Sequence, residues 1–368
     1  MNLDALSRAV DAIAPFRLAE PWDNVGLLVG DPVAPVTGAL LTIDCSSEVI
    51  AEAARLGCEA IVSYHPPIFE GLKRVTRTGE AAVAYDLLRR NIGVVCPHTA
   101  LDAVDGGTND VLADAIQLGD RAPLRLSRGI DAQYKLVVFV PESAVTDVSE
   151  ALFAAGAGNI GNYSSCSFRA SGVGTFFGQA GTNPTVGQPG VREENPELRL
   201  ETVLPIGRTA RVIEALRKAH PYEEPAFDLV RLAPLPAQTG MGRIGSLSNV
   251  TREEVFSRIE QALGIEHLLV AGPTTGTVQR AAVCAGSGGD LLRDAITQGA
   301  ELFLTGEMRH HDALRAAARG VTVVCTLHSN SERKALITLR QRLETATQDV
   351  TFHLSEADRD PFSIRCAR

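Results

Sequence analysis

The sequence predicts an α/β protein: a mainly parallel-sheet, three-layer domain built from the N- and C-terminal parts of the chain, with a compact α+β domain inserted between them. Three observations carry this. Apolar runs of strand length alternate with helical stretches at both ends of the chain, which is the pattern of repeated β-α-β units and a helix-covered parallel sheet. The middle, from about Asp131 to Leu235, breaks that rhythm and reads β-α-β-β-α-β, the order of the ferredoxin-like split unit. The chain has 368 residues, more than one hydrophobic core usually serves, so about two domains are expected. The expected division is 1–127 plus 237–368 for the discontinuous larger domain, and 128–236 for the insert.

In chain order, Leu3, Leu6, Val10 and Ile13 repeat with helical spacing and predict a packed first helix. Gly38–Asp44 reads as a buried strand, Ser46–Leu56 as a helix, and Ala60–Ser63 as a short strand. Ala81–Arg90 and Ile92–Cys96 repeat the pair. In the insert, Tyr134–Val140 is a strand, followed by a helix to Ala155. A Gly- and Ser-rich stretch comes next, then a strand over Glu197–Leu204, a helix over Arg208–Ala219 and a strand over Ala226–Leu232. The segment Gln179–Pro196 carries three prolines and little hydrophobicity, so an exposed loop is expected. The C-terminal part resumes the alternation. Its strands are Val278–Cys284, Glu301–Leu304 and Val321–Cys325, and its helices Leu291–Gln298, Asp312–Ala318 and Ser331–Thr345.

The composition narrows the function classes. Hydrophobic residues make up 45% and charged residues 21%, ordinary globular usage. A net charge of −9 repels phosphate backbones, so nucleic-acid binding is not expected. The N-terminus has early acids and no long apolar run, which argues against a signal peptide or a membrane span. Seven cysteines without a C-x-x-C pair read as reduced thiols of a cytoplasmic protein.

Several polar residues fall just past predicted strands, where open α/β sheets place their ligands. His65 follows Ala60–Ser63 and is stiffened by Pro66 and Pro67. His98 and Asp102 are four apart after the Ile92–Cys96 strand, so one helical turn puts them on one face. The competing reading there is a turn-capping Asp beside a solvated His. His328 and Glu332 are again four apart, a spacing that suits first-row metals, and a Glu can bridge two ions. Ser329 to Glu332 also fits a capping box, so two readings compete for Glu332. Glu307, His310, His311 and Asp312 crowd another strand-to-helix loop, from which Glu307 and His311, with His98, are candidate proton-transfer or supporting groups. Gly286, Gly288 and Gly289 could let backbone amides face a phosphate, or form a plain tight turn. HPYEEPAFDL (His220–Leu229) offers a His and two Glu, but its prolines favour a surface turn over a second metal site.

EPWDNVGLLVG (Glu20–Gly30), SYHPPIF (Ser63–Phe69), CPHTALDA (Cys96–Ala103), TGEMRHHDA (Thr305–Ala313) and LHSNSERKAL (Leu327–Leu336) together resemble the Nif-three-like dinuclear metal-centre family, whose members also carry the name GTP cyclohydrolase I type 2. The insert, with GNIGNYSSCSF and HPYEEPAFDL, resembles the longer subgroup, which carries a domain similar to PII and copper-tolerance proteins. The resemblance implies that His65, Asp102, His328 and Glu332 hold two divalent ions (Zn, Mn, Fe or Co), with Glu332 as the bridge. It also implies a homohexameric ring. Where the family often has two adjacent histidines this chain has Tyr64-His65. A phenol is a poor ligand unless ionised, so Tyr64 is expected as a weak ligand or a supporting group. The function implied is a metal-dependent hydrolase or cyclohydrolase acting on a phosphate-bearing nucleotide- or pterin-like small molecule. The alternative is a non-enzymatic metal-binding chaperone or regulatory scaffold.

Overall fold

A computed structural model describes residues 1–127, 133–160, 163–232 and 239–365. The chain divides into two compact units, Met1–Arg128 with Ala237–Arg368, and Gly129–Pro236. The joints expected at 128 and 236 themselves lie outside the described residues.

The larger unit contains two sheets. The first runs in the order Gly26–Val29, Gly93–Cys96, Ala60–Ser63, Gly38–Thr42, Thr351–Leu354. The second runs Leu269–Ala271, Thr322–Cys325, Leu302–Glu307, Thr277–Ser287, Gly240–Thr251, Gly119–Leu126. The expectation of a mainly parallel sheet is corrected here: both sheets are mixed. Among the described residues five of their strand pairs are parallel and four antiparallel. The central strands follow the β-α-β pattern and are parallel. The antiparallel pairs bring in strands that do not belong to such crossovers, among them the Gly-bounded Gly26–Val29 and the three-residue Leu269–Ala271.

Burial explains the strand assignments. Every residue of Gly38–Thr42, Ala60–Ser63 and Gly93–Cys96 is buried, as strands covered on both faces must be. The first helix spans Leu3–Ile13, capped by Asn2, whose side chain accepts from the Ala5 amide. Its Leu3, Leu6, Val10 and Ile13 pack with Leu41, Val62, Leu339 and Phe352 in one core. The last expected helix starts later than Ser331, at Ala335, because Ser329–Ser331 forms a 3-10 turn. Arg243 is 2% exposed and ties the two ends of this unit together. Its guanidinium grips Asp110 through two hydrogen bonds of 2.9 and 2.7 Å and donates its remaining N–H groups to the carbonyls of Val104, Gly240 and Gly242. Every donor of the fork is thereby used, as burial of a charge requires.

The smaller unit has one antiparallel sheet in the order Ser167–Phe177, Arg192–Pro205, Gln133–Val140, Phe227–Arg231. With helices Val145–Ala154 and Thr209–Ala219 the chain order is β-α-β-β-α-β. The helices pack on Leu136, Val138, Leu200 and Leu204 of the sheet. The second hairpin strand begins at Arg192, not Glu197, so the end of the expected loop is a paired strand.

Candidate metal centre

The site lies at the carboxyl ends of strands from both sheets. Asp44 follows Gly38–Thr42, His65 follows Ala60–Ser63, and His98 follows Gly93–Cys96. Glu307 ends Leu302–Glu307, and His328 follows Thr322–Cys325. Two backbone bonds, Tyr64 N to Thr42 O at 2.8 Å and His65 N to Ile43 O at 2.9 Å, carry the strand pairing on to the His65 position. Leu327, immediately before His328, has φ +70°. A non-glycine residue in the left-handed region costs about 1–2 kcal/mol, and such strain collects at functional sites.

His65, His328 and Glu332 converge: one ligand atom from each lies within 4.8 Å of the others. Glu332 is 2% exposed. Its Oε1 is 3.3 Å from His328 Nε2 and its Oε2 is 3.4 Å from His65 Nε2. That Oε2 is buried without a partner in hydrogen-bond geometry, an arrangement a cation would relieve. The capping box does not form: Ser329 Oγ donates to Asp360, and the Glu332 carboxylate turns to the histidines. On the far side of each ring stands a carboxylate, with Asp44 Oδ1 2.9 Å from His65 Nδ1 and Glu307 Oε1 3.1 Å from His328 Nδ1. An ionised carboxylate only accepts, so each Nδ1 carries its proton and each Nε2 is aimed at Glu332.

The carboxylates make the site electronegative and favour positive charge on the two rings, protons that a bound metal ion would replace. Burial works against protonation of His65, but Asp44 and Glu332 raise it to about 10. Glu332, outweighing burial, raises His328 to about 9. Burial opposes ionisation of Glu332 as well, yet the two histidines hold its carboxyl below the usual range.

Asp102 is not one of the three convergent donors. It is 6% exposed, its Oδ1 accepts from the Tyr64 hydroxyl, and burial pushes it up to about 6. Tyr64 is 1% exposed, and burial first, then the Asp102 and Glu332 charges, raise its phenol well above 10. It therefore stays protonated and donates to Asp102. His98 joins the cluster, with its ring 5.3 Å from His65 and 5.6 Å from Tyr64 and its Nδ1 2.7 Å from Asp23 Oδ1. Glu307 is present through His328, whereas His311 is exposed with its ring against His310 at 5.4 Å. Asp312 pairs with Arg315.

The glycines serve closeness more than phosphate. The amides of Gly286 and Gly288 are already donated to Ser331 Oγ and Thr305 Oγ1. At Gly286, with φ +64°, a Cβ would lie 2.6 Å from Glu332 Oε1, so only glycine lets this strand end reach the carboxylate. Gly289 faces Asp312, whose Oδ2 would lie 3.5 Å from an added Cβ. His220 is buried in the smaller unit and both its ring nitrogens are engaged, one with Phe139 O and one with the Tyr222 amide.

Sequence reasoning missed Asp44, which obeys the same rule as its neighbours by standing just past a strand. It also gave no role to Asp23, which holds His98 and Thr99, nor to Trp22. That ring is 58% exposed and lies 6.1 Å from His98 and 5.9 Å from Phe69.

Fold and site together define an α/β protein with a histidine–carboxylate cluster, suited to a divalent cation, at the carboxyl ends of its strands. The chain belongs to the Duf34/NIF3 (NGG1p interacting factor 3) family, which matches residues 1–361. It is 36% identical over 357 residues to a protein of Halalkalibacterium halodurans named GTP cyclohydrolase 1 type 2 homolog, covering 95% of each chain. It is 33% identical to the protein of that name from Bacillus subtilis, covering 99% of each. A Bacillus cereus protein related to NIF3 has the same fold at TM-score 0.71 and 32% identity, with 99% of each chain covered. Among the described residues no helix is long and apolar enough to cross a membrane.

Proposed function

We propose that the protein is a metal-dependent hydrolase or cyclohydrolase that acts on a phosphate-bearing nucleotide- or pterin-like small molecule. The observation that carries this is the carboxylate–histidine–Glu332–histidine–carboxylate chain. Both Nε2 atoms and a buried, unpartnered Glu332 oxygen face one point, and Asp44 and Glu307 hold the rings in the ligating orientation. The residues fit a divalent ion in the order Zn, Co or Fe before Mg, because two imidazoles and one carboxylate are borderline donors. Three donors leave positions open for water and substrate.

A second ion would use the other side of Glu332 with Asp102, and Tyr64 makes that position the weaker one. Bound metal would supply Lewis acidity and a water of lowered pKa. His98, oriented by Asp23, stands where it can take or return a proton. Trp22 and Phe69 offer an exposed aromatic face beside His98, which suits a planar heterocycle. The buried free thiols Cys45, Cys58, Cys96, Cys284 and Cys325 support a reducing, cytoplasmic setting. A homohexameric ring and a PII-like role for the smaller unit belong to the same reading.

The test uses purified protein reloaded with Zn, Mn, Fe or Co and offered nucleotide and pterin phosphates. Product is followed together with the fluorescence of Trp22, the only tryptophan of the chain. Turnover that disappears in Asp102→Ala at unchanged fold supports the enzyme. Full metal occupancy with no turnover and no change in Trp22 emission across the panel would favour the scaffold.

A further inference from the structure

The smaller unit contains a cavity of about 490 Å³, wholly lined by its own residues. That volume is in the range of small-molecule sites. Its walls are largely apolar and aromatic, with Phe139, Val173, Phe176, Phe177 and Pro184 among them. Among the described residues its charged lining has one sign: Glu197, Glu223 and Glu224 are present, and no Lys, Arg or His.

Two of these carboxylates have other attachments. Glu223 accepts from the Asn183 amide and Glu224 reaches Arg217. Among the described residues Glu197 has no Lys or Arg partner: Arg199, two residues along the same strand, is committed to Glu201, and His220 stands near enough to feel the Glu197 charge. Glu197 lies against Gly174, where an added Cβ would stand 2.2 Å from Oε2. The glycine thus makes the room in which this carboxylate rests. Beside it is Tyr222, whose buried hydroxyl faces the Glu197 carboxylate without completing a hydrogen bond of good geometry. Burial first, and the Glu197 carboxylate next, push that phenol up to about 12.

An apolar cavity with an anion at its polar end, an unsatisfied hydroxyl and no cation is complementary to a cation with an apolar body. We propose that this cavity binds a small organic amine. Its ammonium group sits against Glu197 within reach of the Tyr222 hydroxyl, and its apolar or aromatic part lies on Phe139 and Phe177. An ammonium group gains from the carboxylate and from the aromatic faces together. An isosteric anion would meet three glutamates. The site is independent of the metal centre, which lies in the other unit.

The test is calorimetric titration of the full chain at pH 7.5 with three probes of one shape: phenethylamine, phenethyl alcohol and 3-phenylpropionate. The amine is expected to bind one per chain, at least about tenfold tighter than the alcohol, with no detectable binding of the acid. Glu197→Gln should weaken the amine about tenfold or more. Gly174→Ala, which displaces the same carboxylate, should weaken it in the same direction. Metal content should be unchanged in both variants. Discrimination among the probes is read on the unmodified protein, so it stands even if a variant unfolds. Equal affinity for the three probes, no amine binding at millimolar concentration, or unchanged amine affinity in Glu197→Gln would each overturn the proposal.

Discussion

Asp44→Asn removes charge from the far side of a metal-facing histidine while keeping its shape. In the native arrangement Asp44 Oδ1 sits 2.9 Å from His65 Nδ1 and holds the proton there, which leaves Nε2 for the ion. An asparagine can accept weakly or, with its amide turned, donate to Nδ1 and move the proton onto Nε2, the wrong nitrogen for ligation. Loss of such an outer partner costs about 10–100-fold in metal affinity, or roughly 1.4–2.7 kcal/mol. Asp44 has a side chain 51% exposed, so water screens it and the low end, about tenfold, is expected. Glu307→Gln, with a side chain 55% exposed beside His328, should cost a similar amount. The assay is competition for cobalt or zinc against a chromophoric chelator at fixed pH and ionic strength. Unchanged affinity in both variants would refute the idea that these carboxylates orient ligands.

Three further outcomes are expected. Gly286→Ala should drive a Cβ toward Glu332 Oε1, 2.6 Å away, and strain a φ of +64°. Metal content should fall while circular dichroism stays native, and retained metal would count against the close packing. Arg243→Met should destabilise the larger unit by roughly 3–5 kcal/mol, because Asp110 is left charged and buried, which denaturant unfolding would show. In the smaller unit, burial lowers the pKa of His220 below 6.5 even though Phe139 O and Glu197 favour the charged form. The unfolded chain then binds the proton more readily, so this contribution is present above about pH 6.5 and is lost as the pH falls below it. Melting curves at pH 7.5 and 5.5 should show a larger acid loss for the native chain than for His220→Gln.

What was legible in the sequence was the local part. His65, His328 and Glu332 could be found because each follows an apolar run that can only be a buried strand, and turns of that kind point polar groups into a crevice. Asp44 carried the same signal and went unread because Ile43-Asp44 was absorbed into the strand itself. Asp102 was expected as a metal ligand, and its pairing with Tyr64 was not foreseen. That hydrogen bond spans 38 positions and follows from burying a phenol that must donate to something. The antiparallel strands were hidden for related reasons. Gly240–Thr251 is glycine-rich and poor in alternation, and it takes its place beside Gly119–Leu126 from far along the chain. Local pattern does not encode such pairings. Ser329 to Glu332 shows the opposite case, a local motif overridden by tertiary partners, since Asp360 takes the serine and two histidines take the glutamate.

The most direct test is the metal-to-protein ratio of Glu332→Ala and His328→Ala beside the native chain after identical purification. Glu332 offers one oxygen to each histidine side, so on the proposed two-ion reading its removal would take the shared negative charge from between the cations. Repulsion between dications rises steeply at short range, even in a screened site. Glu332→Ala is therefore expected to lose essentially all bound metal, and His328→Ala mainly one ion. A ratio for Glu332→Ala equal to that of the native, metal-bearing protein would contradict the account. It would reduce Glu332 to a structural residue, whose loss costs about 1 kcal/mol of stability and no metal.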